Sequence, residues 1–405
     1  MQLRNLFTSN SDQSASVDNP LTKVLTSKRA RTCAQATLGF VATLVAIDVA
    51  INRLFPYPTD PLNTSPSSLS LYFDYGRSIE GKIRRQMGPT NDTSAPIAQA
   101  GWLNAQNLEE QPTVPEPGDD ILVASYGMSF SLRVMGEVEK LDPRITLRSM
   151  AGPAAPPNFS YSAYQFDRGK HQANVVVLGI LASSVKGLDA MTGMTWGAEV
   201  PAPYTFPKYK VEAGQLQAIQ PQIQSLEQLR QAMQNPQQWD AFVNQLETND
   251  RFFNSFTFEQ TALDHSALFR LLRRAWAKSY QDNRTAQIHT SDGFNEKWEQ
   301  TAVLKQMVQD FAATAKQDGI MPVVLLINDR GYDDHLYQLL RPTLERHSIP
   351  FVSTHDIAPA TDQKNFIADG HFIPEADQKI AAKVLELINT TLGRSPAPTP
   401  ASPPP

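Results

Sequence analysis

Five short runs of apolar, mostly β-branched residues constrain the fold of this chain more than any other feature. They are Ile121–Tyr126, Ile145–Arg148, Val175–Leu178, Val323–Ile327 and Phe351–Ser353. Most run without alternating apolar and polar residues. A strand with one face in water alternates at period two, so an unbroken run marks a strand covered on both faces, as in a parallel sheet. The intervening segments carry apolar residues at helical spacing. In the last of them, about 375–388, Ile380, Val384, Leu387 and Ile388 fall on one side. Strands alternating with amphipathic helices predict an α/β fold, a doubly wound five-stranded parallel sheet.

The chain between the third and fourth runs is far longer than one crossover requires. It holds four helical stripes: Leu226, Leu229 and Met233; Trp239, Phe242, Val243 and Leu246; Leu268, Leu271, Leu272 and Ala275; and Leu304, Met307, Val308 and Phe311. The fourth suffices as the crossover helix. The others predict a helical insertion over about 197–291, a place where insertions shape a substrate cleft or simply add packing.

Ahead of the sheet, Cys33–Phe55 is the one segment long enough to cross a bilayer, since a helix of ~20 residues spans the ~30 Å hydrocarbon core. Gln35, Thr37, Thr43, Asp48 and Asn52 interrupt it. Asp48 is expected near the far membrane surface or against a partner helix. Arg4, Lys23, Lys28, Arg29 and Arg31 precede the span and Arg53 alone follows closely. That asymmetry predicts a single-pass protein with residues 1–32 cytoplasmic and the remainder extracytoplasmic; a cleaved signal peptide is the nearest alternative, opposed by the long preceding segment and the lack of a clear small-x-small cleavage site. Residues 56–118, rich in Pro, Ser, Thr and Asn, read as a tether with one docking helix within 68–87. Residues 119–392 make the α/β domain, and 393–405 an extended Pro-rich tail.

Composition removes several classes of function. The net charge is −5 and no Lys/Arg run interleaves with aromatics, which argues against nucleic acid as a partner. Cys33 is the one cysteine, so neither an intramolecular disulfide nor a cysteine-based zinc site can form. The histidines are scattered with no H-x-x-x-H pair, so no metal site is expected. His265, His289 and His335 read as surface residues without partners. His355–Asp356 is a second His/Asp pair, at the end of the fifth strand. Sequons occur at Asn63, Asn91, Asn158, Asn283 and Asn389.

Two segments carry chemistry. The first strand runs into Gly127-Met-Ser129-Phe-Ser131 and then a helical stripe. That order puts Ser129 at the C-terminal edge of the sheet, where open α/β sheets bind ligands, beside a helix N-terminus that favours negative charge. By itself the serine could as well cap the helix. Asp369-Gly-His371 follows the fifth strand and opens the last helix, at the same edge. Serine needs a neutral imidazole to take its proton, and a carboxylate can orient that imidazole. Ser129, His371 and Asp369 therefore form a candidate nucleophile–base–acid set.

These segments resemble the SGNH (GDSL-type) superfamily of ester hydrolases and acyltransferases, in particular membrane-anchored members of the bacterial cell envelope. Over about 119–392, insertion excepted, Gly127-Met-Ser129-Phe-Ser131 matches the family's Gly-Asp-Ser-x-Ser block. Ala151-Gly152-Pro matches its glycine block, and Asp369-Gly-His371 its terminal Asp-x-x-His with one residue fewer. The resemblance implies a flavodoxin-like sheet, Ser129 as nucleophile, His371 as base, Asp369 as its partner, and the N–H groups of Ser129 and Gly152 as oxyanion donors. It implies no metal or organic cofactor and an acyl ester, on a glycan or lipid, as substrate. The third block, normally Gly-x-Asn-Asp, reads Gly179-Ile-Leu-Ala-Ser183 and lacks the asparagine. Asn158, or else Ser183, is the expected substitute. Three functions stay open: an ester hydrolase, an O-acyltransferase using the same triad on exported glycans, and a degenerate fold serving as a binding module. No oligomeric state follows from the sequence.

Overall fold

The computed structural model describes residues 28–89, 92–103 and 110–395. Most of the expected cytoplasmic tail, the Asn91 sequon and the Pro-rich tail beyond Ser395 lie outside the described residues.

Five parallel strands form one sheet: β1 (Ile121–Met128), β2 (Ile145–Gly152), β3 (Val175–Leu181), β8 (Met321–Ile327) and β9 (Phe351–Ser353), in the order β2-β1-β3-β8-β9. Every residue of β1, β3 and β8 is buried. Unbroken apolar runs are thus the central strands, while β2, with its polar positions, is an edge. All five sequence-predicted strands are present, four of them extended by two to four residues at one end.

The helices pack in two groups. Helix α5 (Ser129–Leu141) lies against α14 (Pro374–Leu392), and α6 (Pro157–Asp167) against α12 (Glu299–Gln317). The connection β1–α5–β2 steps one way across the sheet and β2–α6–β3 steps back. Right-handed crossovers therefore place α5 and α6 on opposite faces. Reversal of the strand order at β1 brings the ends of β1 and β3 apart from their helices and opens the C-terminal edge there.

The segment expected to be a tether packs on the domain. Helices α2 (Ser68–Asp74) and α3 (Ile79–Gln86) are capped by Ser67 and Ser78, and α4 (Pro96–Gln99) follows. Ile79, Ile83, Met87, Ala98 and Trp102 join the hydrophobic core. Apolar residues are few in this stretch, but these five are buried, so prolines between them act as turn residues rather than as a spacer.

The insertion is not purely helical. Between β3 and α12 lie α7 (Gly193–Trp196), a hairpin of β4 (Lys208–Glu212) and β5 (Gln215–Ile219), then α8 (Leu226–Gln234), α9 (Pro236–Asn249), α10 (Ser255–Phe258) and α11 (Ala267–Thr285). A ribbon of β6 (His289–Thr290) and β7 (Gly293–Phe294) completes it, and α13 (His335–Arg346) follows β8. The β4–β5 turn has positive φ at both Ala213 (49°) and Gly214 (76°), the backbone of the tight two-residue hairpin turn.

Asp250, at the end of α9, ties the insertion to the chain leaving β3. Its carboxylate accepts from the N–H of Met191 (3.0 Å), the hydroxyl of Thr195 (2.8 Å) and the N–H of Phe252 (2.9 Å). Burial nonetheless pushes its pKa from 3.8 up to about 6. The folded state therefore holds a proton that the unfolded chain has already released. The stability from this group is complete below pH 3.8 and is lost as the pH rises through about 6. Asp250→Asn is expected to gain on the wild type by up to about 3 kcal/mol between pH ~4 and ~7.5, read from denaturant unfolding at the two pH values. An unchanged difference would show that the carboxylate ionises normally in the fold.

Candidate active site

Ser129 is the first residue of α5, and β1 ends at Met128. Met128 is the N-cap, and its side chain accepts from none of the first-turn N–H groups. The first-turn N–H groups thus lack an intrahelical partner and a cap, which biases this spot toward negative charge. The tight junction depends on glycine. A β-carbon on Gly179 would stand 1.9 Å from the Ser131 hydroxyl oxygen, and one on Gly127 would stand 2.4 Å from it. Ser131 itself is buried and donates to the Met128 sulfur at 3.3 Å.

His371 reaches Ser129 from the other end of the chain. The loop after β9 folds into a narrow turn, with Phe366 and Phe372 bridged antiparallel and the N–H of Ile367 donating to the His371 carbonyl at 2.8 Å. Gly370, between Asp369 and His371, has φ of +96°, a conformation that only glycine adopts without strain. This is the physical reason for Asp-Gly-His at that spacing. The turn places His371 Nε2 2.7 Å from Ser129 Oγ. Asp369 Oδ1 accepts from the His371 backbone N–H at 3.0 Å and lies 3.2 Å from Nδ1. The Nδ1 contact is close enough for an ion pair but misses hydrogen-bond alignment, so this buried nitrogen has no aligned acceptor. The backbone bond to His371 lowers the Asp369 pKa, keeping the carboxylate charged. Its side chain is 63% exposed while that of His371 is 25% exposed, so water weakens the charge that the imidazole feels.

Several supporting side chains carry no sequence signature of their own. The Phe130 ring stacks on His371 at 4.7 Å between centroids. Arg133, one helical turn after Ser129, donates to Asp377 (2.9 Å) and to the Phe372 carbonyl (2.9 Å). It thus clamps the histidine turn to the serine's own helix. Burial raises the Asp377 pKa to about 6 against the pull of Arg133. Arg330, from the loop after β8, donates to the Ile367 carbonyl at 2.8 Å and lies over Phe366. The i, i+4 spacing of Ser129 and Arg133, which puts both on one face of α5, is a signal that could have found the arginine.

Gly152 ends β2 in register with Met128, which sets its backbone beside the start of α5. A side chain there would press on the Phe159 ring at 3.1 Å. The two expected substitutes for the missing asparagine do not offer free donors. Asn158 is fully buried at the start of α6, and its amide donates to the carbonyls of Pro207 (3.0 Å) and Ala190 (3.4 Å). It is a core residue that fastens the insertion. The Ser183 N–H donates to Asp329 at 3.1 Å, a carboxyl whose pKa burial raises to about 6. The Asn–Asp pair after β8 thus meets the end of β3, its neighbour in the sheet.

His265 is exposed, as expected, whereas two other histidines differ from expectation. His289 and His335 are partners, with Nε2 and Nδ1 2.8 Å apart, and burial lowers the His289 pKa to about 4. His355 bonds to the Ser353 hydroxyl at 2.8 Å and stacks on Tyr337, so it is held away from Ser129. Among the described residues, no group of three or more His, Cys, Asp or Glu side chains converges as a metal site would.

The fold and site together define an α/β protein with a hydrogen-bonded serine–histidine pair at the carboxyl edge of a parallel sheet. In comparisons with known proteins, no family model matches the chain, and neither a curated protein nor a solved structure is significantly similar to it.

Proposed function

We propose that this chain is a serine ester hydrolase of the SGNH type, tethered to a membrane and acting on acyl esters of cell-envelope glycans or lipids. The observation that carries the reading is the 2.7 Å contact between Ser129 Oγ and His371 Nε2, at a helix N-terminus, between residues far apart in sequence. For Nε2 to accept the serine proton, the imidazole must carry its own proton on Nδ1, the side that faces Asp369.

In the proposed reaction Ser129 Oγ bonds to the acyl carbon as its proton passes to Nε2. The carbonyl π electrons move onto oxygen, where the N–H groups of Ser129 and Gly152 stabilise them. Collapse of this intermediate breaks the ester C–O bond, and the leaving alkoxide takes the proton from Nε2. Water then attacks the acyl-serine by the same steps in reverse order, releasing the acid and restoring the serine. A sugar hydroxyl in place of water makes the protein an O-acyltransferase. The degenerate-fold reading draws support from the commitment of Asn158 and Ser183 to other partners.

The apolar helix α1 (Lys28–Leu54), near the N-terminus and exposed from Arg31 to Ile47, supports the anchor. The positive charges before it support a cytoplasmic N-terminus and an extracytoplasmic domain.

The test uses the full chain in detergent and a fluorophosphonate probe, with the adduct located by peptide mass mapping. Labelling at Ser129 supports the proposal. Labelling only elsewhere, or none where a control esterase reacts, overturns it. Release of acetate from an acetyl ester, with and without an oligosaccharide acceptor, then separates hydrolysis from transfer.

A further inference from the structure

Helix α1 is joined to the insertion rather than loosely tethered to it. Asp48 accepts from the Ser266 hydroxyl (2.9 Å) and from the N–H of Leu268 (2.8 Å). It therefore caps the N-terminus of α11 from outside, beside the cap that Ser266 itself provides. One turn further along α1, Asn52 Oδ1 accepts from Arg270 (3.1 Å), and Phe55 stacks on Phe73 of α2 at 5.7 Å. These contacts hold the last two turns of α1 on the domain. The remaining stretch, from Ala30 to Ile47, is apolar and projects away from it. At ~1.5 Å per residue that stretch is about 27 Å long, close to the ~30 Å hydrocarbon thickness. The membrane boundary then falls at Asp48, where α11 begins.

An apolar face starts at the same point. Leu272 is 68% exposed and Trp276 42%. With Leu268 they form an i, i+4 stripe along the outward side of α11. Phe256, 41% exposed, packs edge-on against Trp276 at 5.3 Å, and Leu263, 50% exposed, sits in the turn before α11. Leu272 and Trp276 lie about 6 and 12 Å along the helix from Leu268. A helix α11 inclined toward the membrane plane keeps both side chains within the headgroup layer, ~5–8 Å deep on each side of the hydrocarbon, where tryptophan is favoured.

We infer that this face of the insertion, Phe256, Leu263, Leu272 and Trp276, rests in the lipid interface beside the point where α1 leaves the bilayer. The occupant of the face is the membrane from which the chain is hung, and the contact sets the orientation of the domain above it. The inference rests on α1 as a membrane span and not on the chemistry of Ser129.

The full chain, reconstituted in phosphatidylcholine vesicles with brominated acyl chains, tests it through tryptophan quenching. Helix α1 contains no tryptophan, so any quenching reports on the domain. Emission is expected to be quenched relative to unbrominated vesicles, and Trp276→Phe is expected to remove most of the quenched fraction. Undiminished quenching in that variant, or no quenching in chains that float with the vesicles, overturns the inference. Chains that fail to float overturn the anchor as well, while leaving serine labelling untouched. A nitroxide on Leu272→Cys, in a Cys33→Ser background, gives a second reading that leaves Trp276 in place. Greater collision with oxygen than with a water-soluble nickel chelate supports the contact, and the reverse order overturns it.

Discussion

His371→Ala is expected to slow phosphonate labelling of Ser129, and any ester turnover, by about 10²–10⁴-fold, the usual contribution of a positioned general base. The serine hydroxyl is otherwise a weak nucleophile, and at 2.7 Å the imidazole is the group bonded to it. Asp369→Asn is expected to cost much less, on the order of tenfold. Asp369 is mostly exposed, its oxygen is occupied by the His371 backbone N–H, and it misses alignment with Nδ1. Water therefore competes for the role that a buried carboxylate would hold alone. The ring also has other supports, the Phe130 stack and the Arg133 clamp on Phe372. The measurement is the second-order rate of labelling in each variant. Equal losses for the two substitutions would mean that Asp369 aligns with Nδ1 when a ligand is bound. No loss in His371→Ala would remove the histidine from the mechanism.

Gly179→Ala is expected to destabilise the fold by on the order of 3 kcal/mol, at the upper end of the cost of overpacking a core. The added carbon would stand 1.9 Å from the Ser131 hydroxyl oxygen and 2.9 Å from the Ser131 β-carbon. Backbone surrounds the site on the sheet side, so α5 must lift from β3 for the methyl to fit. That movement also carries Ser129, two residues before Ser131 on the same turn. Ser131→Ala takes away the nearest atom but not the β-carbon, so it should recover part of the loss in the Gly179→Ala background. The double-mutant cycle is then expected to show coupling of about 1 kcal/mol or more, read from denaturant unfolding. A Gly179→Ala chain as stable as the wild type would show that α5 does not approach β3 this closely.

Legibility differed between elements for physical reasons. The central strands were readable because burial on both faces demands uninterrupted apolar residues. The β4–β5 hairpin was also readable in principle, since Lys208-Tyr-Lys-Val-Glu alternates and Ala213-Gly214 supplies a two-residue turn. Its signal is faint because alanine is uncommon at positive φ, and because helical stripes dominate the surrounding insertion. The one docking helix expected within 68–87 is two helices, α2 and α3, and the stretch around them packs on the domain although its apolar residues are sparse, with Ile79, Ile83 and Trp102 among the most enclosed of the described residues. Packing of a few large side chains there outweighed the composition.

In the site, serine and histidine were legible because Ser129 stands at a strand–helix junction and His371 in the turn before the last helix, each with a glycine within two residues. Arg133, Phe130 and Arg330 had no such marker. Their roles arise from contacts between α5, the loop after β8 and the turn after β9, which are distant in sequence. Asn158 misled for the same reason. An asparagine near a glycine loop is a plausible donor in one dimension, but the amide is committed to carbonyls at Ala190 and Pro207.

The sequence by itself determined the period of each element, the apolar span near the N-terminus, and the two chemical groups at the ends of β1 and the loop after β9. Those properties are local, since backbone geometry and the need to bury apolar surface act over a few residues. The tertiary structure alone decided which groups meet: Ser129 with His371, His289 with His335, Asn158 with the insertion, and Asp48 with the start of α11. A hydrogen bond is set to within tenths of an ångström by strand register and helix packing. Those are long-range outcomes of filling one core, and no short stretch of sequence carries them.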